Sequence, residues 1–166
     1  FDEKDEYIAV HARRGDKTSG KNKESEFIST SRYFEESVKL KQKYGIEKVR
    51  LISDSEEFIA EFLELNEIYG KPLATSFELG EMRRDGYPSR VLNGEIVEDE
   101  ETVKNEYETA LRNLSEMFNS SYLVGTHASW FFQLARRLRI SSGSIDGKCV
   151  LMETDNQIPG RPSYLF

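Results

Sequence analysis

Cysteine is almost missing from this 166-residue chain, and Cys149 is the single copy. One cysteine excludes a disulfide within the chain and a cysteine-based zinc site, while leaving the compartment open. Histidine is nearly as scarce: His11 and His127 are too few for a histidine zinc cluster. No apolar run approaches the roughly 18 residues that a membrane-spanning helix needs. No signal-peptide pattern opens the chain. It begins at Phe1 rather than Met, so a fragment or processed product is expected, from which a secretory signal could have been removed. Positive charge is in deficit, with Lys+Arg 23 against Asp+Glu 30 and a formal net charge of −7. General nucleic-acid binders carry a basic footprint, so no nucleic-acid partner is expected. Neither G-x-G-x-x-G nor G-x-x-x-x-G-K-[ST] occurs, which removes the main support for dinucleotide-binding and P-loop readings. No Asp-x-Asp pair stands at a strand end to hold a metal with a nucleotide diphosphate. The nearest candidate, Asp54-Ser55-Glu56, more simply caps a helix.

Aromatic residues, by contrast, are plentiful: 10 Phe, 8 Tyr and 1 Trp. Against a mean hydropathy of −0.62, they argue for one modest core rather than disorder, and so for a single domain over residues 1–166. The apolar pattern alternates between two kinds. Short β-former runs at Glu6–Val10, Lys48–Ser53, Ser121–Gly125 and Lys148–Glu153 predict strands, with a weak one over Pro72–Phe77. Helical spacing follows each. One helix, capped by Ser29 or Ser31, runs to about Tyr44 and is ended by Gly45. A second, capped by Asp54 or Ser55, runs to about Glu67. Further helices are predicted over residues 101–118 and from Ser129 to about Leu138. Residues 78–100 lack a period and form a long loop, whose acidic end, Glu98 to Glu101, suits the start of the helix that follows. Alternation of this kind predicts an α/β fold: a Rossmann-like parallel sheet with helices on both faces.

Ligands of open α/β sheets bind outside the carboxyl ends of the strands. Three polar strand ends are available: His11-Ala12-Arg13-Arg14-Gly15-Asp16-Lys17, Ser53-Asp54-Ser55 and Gly125-Thr126-His127-Ala128-Ser129. The first is a basic cluster in an acidic chain, reinforced by Lys21 and Lys23. Paired arginines at a strand end suit a diphosphate, because each guanidinium offers two parallel donors, and Asp16 could orient one of them. A solvated basic loop is the plain alternative. The third end places the hydroxyls of Thr126 and Ser129 before a helix, where they either help hold an anion or simply cap. His127 is read as a general base or a surface residue, Trp130 as core or pocket wall, and Arg136, Arg137 and Arg139 as a solvated helix end.

The segment Val10-His11-Ala12-Arg13-Arg14-Gly15-Asp16-Lys17 resembles the His-x-Arg-Arg-x-Asp-Lys motif of the α1,6-fucosyltransferase family, which includes the core and nodulation fucosyltransferases; the protein O-fucosyltransferases form part of the wider superfamily. Glu24-Ser25-Glu26-Phe27 and Tyr33 repeat the family's downstream spacing. Leu51-Ile52-Ser53-Asp54 resembles its second strand, and Ser121 to Ser129 its donor-phosphate stretch. The resemblance spans about residues 7–140 in three patches. It implies the C-terminal, donor-binding half of a GT-B-like glycosyltransferase, with the N-terminal half lying in a domain outside this chain. It further implies a GDP-fucose donor, a glycan or protein acceptor, inversion, and no metal or other cofactor.

By this resemblance Arg13 and Glu24 are catalytic, with Glu26 as the alternative base. His11, Arg13, Arg14, Asp16, Lys17, Tyr33, Asp54, Asn113, Thr126 and Ser129 line the substrate site. Asn113 falls where the family places a guanine-reading aspartate. It accepts one hydrogen bond but lacks the ionised bidentate acceptor for guanine N1–H and N2–H2. A non-catalytic nucleotide-sugar or glycan-binding module of the same fold is therefore the alternative, and an unrelated flavodoxin-like interaction domain is a third reading. The family setting implies the Golgi or secretory lumen, or the cytoplasm of a bacterium. The sequons at Asn113 and Asn119 fit a lumenal enzyme.

Overall fold

The computed structural model of the chain describes residues 6–14, 28–77, 91–92, 95–96, 100–143 and 148–152. Eleven elements follow in order: β1 (Ile8–Ala12), α1 (Thr30–Tyr44), β2 (Lys48–Ser53), α2 (Glu56–Ile68), β3 (Ala74–Ser76), β4 (Val91–Leu92), β5 (Glu95–Ile96), α3 (Glu100–Asn119), β6 (Tyr122–Thr126), α4 (Trp130–Ser141) and β7 (Cys149–Met152). Five strands form one sheet in the order β3-β2-β1-β6-β7, and every neighbouring pair in it is parallel. This is the α/β, Rossmann-like architecture that the alternating pattern predicts. Within the stretch read as a long loop, β4 and β5 pair as a two-residue antiparallel ribbon, and α3 begins at Glu100.

Residues alternate across the sheet, so each strand feeds two cores. Ile8, Val10, Ala12, Val49, Leu51 and Val124 pack with Tyr33, Phe34 and Leu40 of α1 and Phe58, Ile59 and Phe62 of α2. Their strand neighbours Ala9, Ile52 and Leu123 pack on the other face with Met117 of α3 and Phe132 and Ala135 of α4. Strands covered on both faces have no solvent side, which is why Tyr-Ile-Ala-Val and Val-Arg-Leu-Ile read as runs rather than as alternations. Gly45 ends α1 as expected. It adopts the left-handed φ of 78° and donates its N–H to the Lys41 carbonyl, a conformation that costs a residue with a Cβ far more.

The connections fix where a ligand would sit. From β1 the chain moves through α1 to β2 and through α2 to β3, towards one edge. From β6 it moves through α4 to β7, towards the other. Directions of winding therefore diverge between β1 and β6. Such a reversal between neighbouring parallel strands is where ligands of open α/β sheets bind, outside the carboxyl ends.

Two expectations about side chains are overturned. Trp130 is not a core residue: it is 78% exposed on the first turn of α4. Arg139 is not a solvated helix end. It is 2% exposed, and its Nη1 donates to the carbonyls of Met117, Phe118 and Ser120 and its Nη2 to that of Ser121. The last carbonyls of a helix have no partner within it, and a guanidinium from the neighbouring helix supplies donors to those of α3.

Candidate functional site

His11, Asp54 and Ser129 lie along one edge of the sheet. His11 is in register with Gly125, and Ala12 with Ser53, across parallel pairings, so the segments beginning at Arg13, Asp54 and His127 all leave from that edge. The structure therefore brings together all three polar strand ends. Asp16, Lys17, Glu24 and Glu26 lie outside the described residues.

Asp54 is the centre of the described arrangement. Of the two candidates for capping α2, Asp54 and Ser55, it is Ser55 that does so, its side chain accepting from the Phe58 N–H at 3.2 Å. The Asp54 carboxylate turns back across the sheet edge. Its Oδ2 lies 2.6 Å from Arg13 Nη1, and its Oδ1 accepts the Arg14 backbone N–H at 2.8 Å. One buried carboxylate thus holds two consecutive residues of the β1 exit. Asp54 orients Arg13; the expectation that Asp16 orients an arginine falls on a residue outside the described ones. Ser53 closes the same corner, its hydroxyl donating to the Ala12 carbonyl at 2.7 Å.

The two arginines diverge. The Arg13 side chain is 19% exposed beside Asp54. Arg14 is buried and lies against α1 and α2. Its Cζ sits 5.4 Å from the Phe58 ring centroid and 5.9 Å from that of Tyr33, and its Nη2 donates to Thr30 Oγ1 at 3.2 Å. Thr30 in turn donates to Glu61 Oε2. Burial pulls the Arg14 pKa down from its usual value, while Tyr33, Glu61, Glu57 and Asp54 oppose the shift. Tyr33 is itself a core residue, edge-on to Phe58 with centroids 5.3 Å apart, and burial pushes its phenol up to about 12. A neutral ring with an electron-rich face supports the guanidinium. Beyond Thr30 and Glu61 a cavity of about 400 Å³ opens between α1 and α2.

At the β6 exit Ser129, not Thr126, caps α4; the Thr126 hydroxyl closes the turn that precedes the helix. Thr126 Oγ1 accepts from the Ala128 N–H at 3.3 Å, and Ser129 Oγ accepts from the Phe132 N–H at 3.4 Å. Each hydroxyl retains its own proton to donate. His127 is exposed and is held from α4 by Gln133, whose Nε2 contacts His127 Nδ1 and the His127 carbonyl. His11 is buried against the rings of Phe131 and Phe132, at centroid distances of 5.8 and 6.3 Å. Gly125, beside His11 in the sheet, is obligatory for this packing. A Cβ built there would lie 2.2 Å from Phe132 Cδ2.

Asn113 is buried on α3, and its Oδ1 has no hydrogen-bond partner among the described residues. It lies six residues before the end of that helix. That end is tied to the opposite, amino edge of the sheet, where the Tyr7 hydroxyl donates to the Glu116 carbonyl. No group of three metal-ligating side chains occurs among the described residues.

Thr30 and Glu61 escape the sequence reading. Both look like ordinary positions in amphipathic helices, and their partner Arg14 is 16 residues from Thr30 in the chain. Arg50, whose Nε lies 2.6 Å from Glu116 Oε2, carried a weak signal: a charge inside the apolar run Val-Arg-Leu-Ile.

No family model and no curated protein sequence matches the chain. Among solved structures it is similar to POFUT1 in complex with GDP, at 16% identity over 80% of this chain, with a TM-score of 0.48. The chain spans 39% of the length of that structure.

Proposed function

We propose that the chain is the nucleotide-sugar-binding part of a metal-independent glycosyltransferase. In this reading it binds a GDP-sugar, GDP-fucose by the resemblance of its first motif, and transfers the sugar with inversion to a glycan or protein acceptor. The observation that carries the reading is the cluster at the diverging strand ends. An aspartate-held arginine stands at the end of β1, at the same sheet edge as the N-terminus of α4.

Arg13 is assigned to the β-phosphate. A planar guanidinium matches two phosphate oxygens, and a fixed one is worth more because its direction is set before the ligand arrives. The Ser129 hydroxyl and the first-turn N–H groups of α4 are assigned to the same anion, which the positive end of the helix favours. Together they stabilise charge on the departing diphosphate, the task that falls to the protein when no metal takes part. The sugar passes through an oxocarbenium-like state, and Glu24, with Glu26 as the alternative, takes the proton of the acceptor hydroxyl. Asp54 has both oxygens committed to the β1 exit, which makes it a holder of Arg13 rather than a base.

Calorimetric titration of GDP into the wild-type chain and Arg13→Ala tests the assignment. Loss of one charge-assisted contact is worth about 1.5–3 kcal/mol, so the variant should bind roughly ten- to a hundredfold more weakly. Equal affinities refute it. The second reading, a binding module without activity, is favoured by Asn113 in place of the expected aspartate. GDP binding without turnover of GDP-fucose by the full-length protein would establish it.

A further inference from the structure

We propose that Thr30 and Glu61, two residues outside the arginine motif, are positioning residues for nucleotide binding that act on Arg13 through Arg14 and Asp54. The proposal rests on the reading of Arg13 as the diphosphate ligand.

The polarity of the relay is fixed by its chemistry. A guanidinium only donates and an ionised carboxylate only accepts. The Thr30 hydroxyl, standing between Arg14 Nη2 and Glu61 Oε2, therefore accepts from the first and gives its one proton to the second. Glu61, Thr30 and Arg14 form a directed chain from α2, through the first residue of α1, to the β1 exit. Its inner end does not stop at the guanidinium. The backbone N–H of the same Arg14 binds Asp54 Oδ1 at 2.8 Å, while the other oxygen of that carboxylate holds Arg13 Nη1 at 2.6 Å.

A carboxylate held at one oxygen can turn about its terminal bond; held at both, it cannot. The direction of the Arg13 fork thus depends on where the Arg14 main chain lies. That depends in turn on an inward-facing side chain whose Nη2 donates to Thr30. Arg14 is buried and backed by Phe58 and Tyr33. Removing the hydroxyl takes from a buried guanidinium the acceptor of its Nη2, a loss that withdrawing Arg14 towards water would relieve. Withdrawal moves the Arg14 N–H, and the Asp54 carboxylate follows. Arg13 loses its aim without having been touched.

The test uses the full-length protein with GDP as the probe. Thr30→Val keeps the shape and removes the hydroxyl; Thr30→Ser restores it. Thr30→Val should weaken GDP binding about five- to tenfold, a fraction of the loss from truncating Arg13 itself, and Thr30→Ser should bind as wild type. In an Arg13→Ala background Thr30→Val should cause no further loss. A merely structural role would lower the melting temperature of Thr30→Val while leaving affinity below the transition unchanged, or would weaken binding equally with and without Arg13. Either result overturns the proposal.

A second readout needs no nucleotide. The Nε–H resonance of Arg13, by nitrogen-15 NMR, should shift in Thr30→Val and not in Thr30→Ser. If the wild type fails to bind GDP, the functional reading falls, and this resonance alone decides the relay: unmoved, it refutes it. Should Thr30→Val fail to fold, Glu61→Gln carries the same measurements, with an expected loss of about two- to threefold from removal of the charge.

Discussion

Gly125→Ala is the smallest perturbation the structure singles out: one methyl group, placed where β6 meets α4. The added carbon would lie 2.2 Å from Phe132 Cδ2 and 2.4 Å from Cε2. Carbon atoms in ordinary contact sit about 3.5–4.0 Å apart, so the ring or the backbone must give by more than about 1 Å. The ring has nowhere to go. Phe132 is fully buried among Met117, Leu123 and Ala135, and His11 packs against it. Relief must come from lifting the start of α4 off the sheet or from forcing Phe132 out of its rotamer. Overpacking of this kind costs typically about 1–3 kcal/mol, occasionally more, and the depth of this overlap sets the expectation at about 3 kcal/mol.

Urea unfolding of wild type, Gly125→Ala, Phe132→Ala and the double variant measures it. Alanine at position 132 has none of the ring atoms that the added carbon meets, Cδ2, Cε2 and Cγ, so Phe132→Ala carries a large cost of its own but should absorb most of the damage of Gly125→Ala. The double variant is expected to be more stable than the sum of the singles predicts by at least about 1 kcal/mol. A Gly125→Ala chain within about 0.5 kcal/mol of wild type, or strict additivity in the cycle, would refute the close approach as the reason for the glycine.

Three other outcomes are expected. Arg139→Ala strips donors from the carbonyls that end α3 and should destabilise by about 2–4 kcal/mol in the same urea assay, since several buried acceptors lose their partner at once; a loss below about 1 kcal/mol would show that water replaces the guanidinium. Tyr33 sets an alkaline limit. Its folded pKa of about 12 stands above the usual 10.0, so its contribution is complete below pH 10. It is lost between about pH 10 and 12, where the unfolded chain ionises first, to a total of about 2–3 kcal/mol. Unfolding of Tyr33→Phe followed against pH should therefore fall less steeply than wild type across that window, and parallel curves would contradict the shift. For catalysis, Glu24→Gln in the full-length protein should reduce kcat about 10²–10⁴-fold with GDP binding intact; if Glu26→Gln is the dead variant instead, the base is Glu26.

The five strands of the main sheet and the helices were legible because two local signals agree there: β-former runs for strands and helical apolar spacing between them; the two-residue strands β4 and β5 carry neither. The placement of His11, Asp54 and Ser129 at one edge followed from these, since successive parallel strands must end on the same side. What stayed open and what was misread share a cause. Whether Asp54 or Ser55 caps α2 cannot be decided locally, because both suit the position. The choice was made by Arg13 and Arg14, some forty residues earlier, which bring two donors to Asp54 across the β1–β2 pairing. Arg139 sits in a run of three arginines that reads as a polar helix end, and only the spatial position of the α3 terminus turns it inward. Trp130 occupies a first-turn position whose side chain no neighbouring element covers. In each case the residue type was readable and its partner was not, because the partner is supplied by the tertiary fold.

The order of the strands also bears on how the proposed site comes into being. β1 pairs with β2 across one short crossover, but Ile8 and Tyr122 of the β1–β6 pair are more than a hundred residues apart. Closing that longer span adds only about 1 kcal/mol of loop entropy over the shorter one, yet searches of this length are slow. The β1–α1–β2–α2–β3 half can assemble from near neighbours, and it already contains the Asp54 grip on Arg13. The opposing wall arrives only when β6 docks. On the proposed reading, a diphosphate that needs both walls would recognise the chain only after its slowest pairing is complete and would have little to hold before it. By mass action such a ligand deepens the final state alone, by RT ln(1 + [L]/Kd), so nucleotide would act as a latch on the last step of assembly and leave the earlier ones untouched.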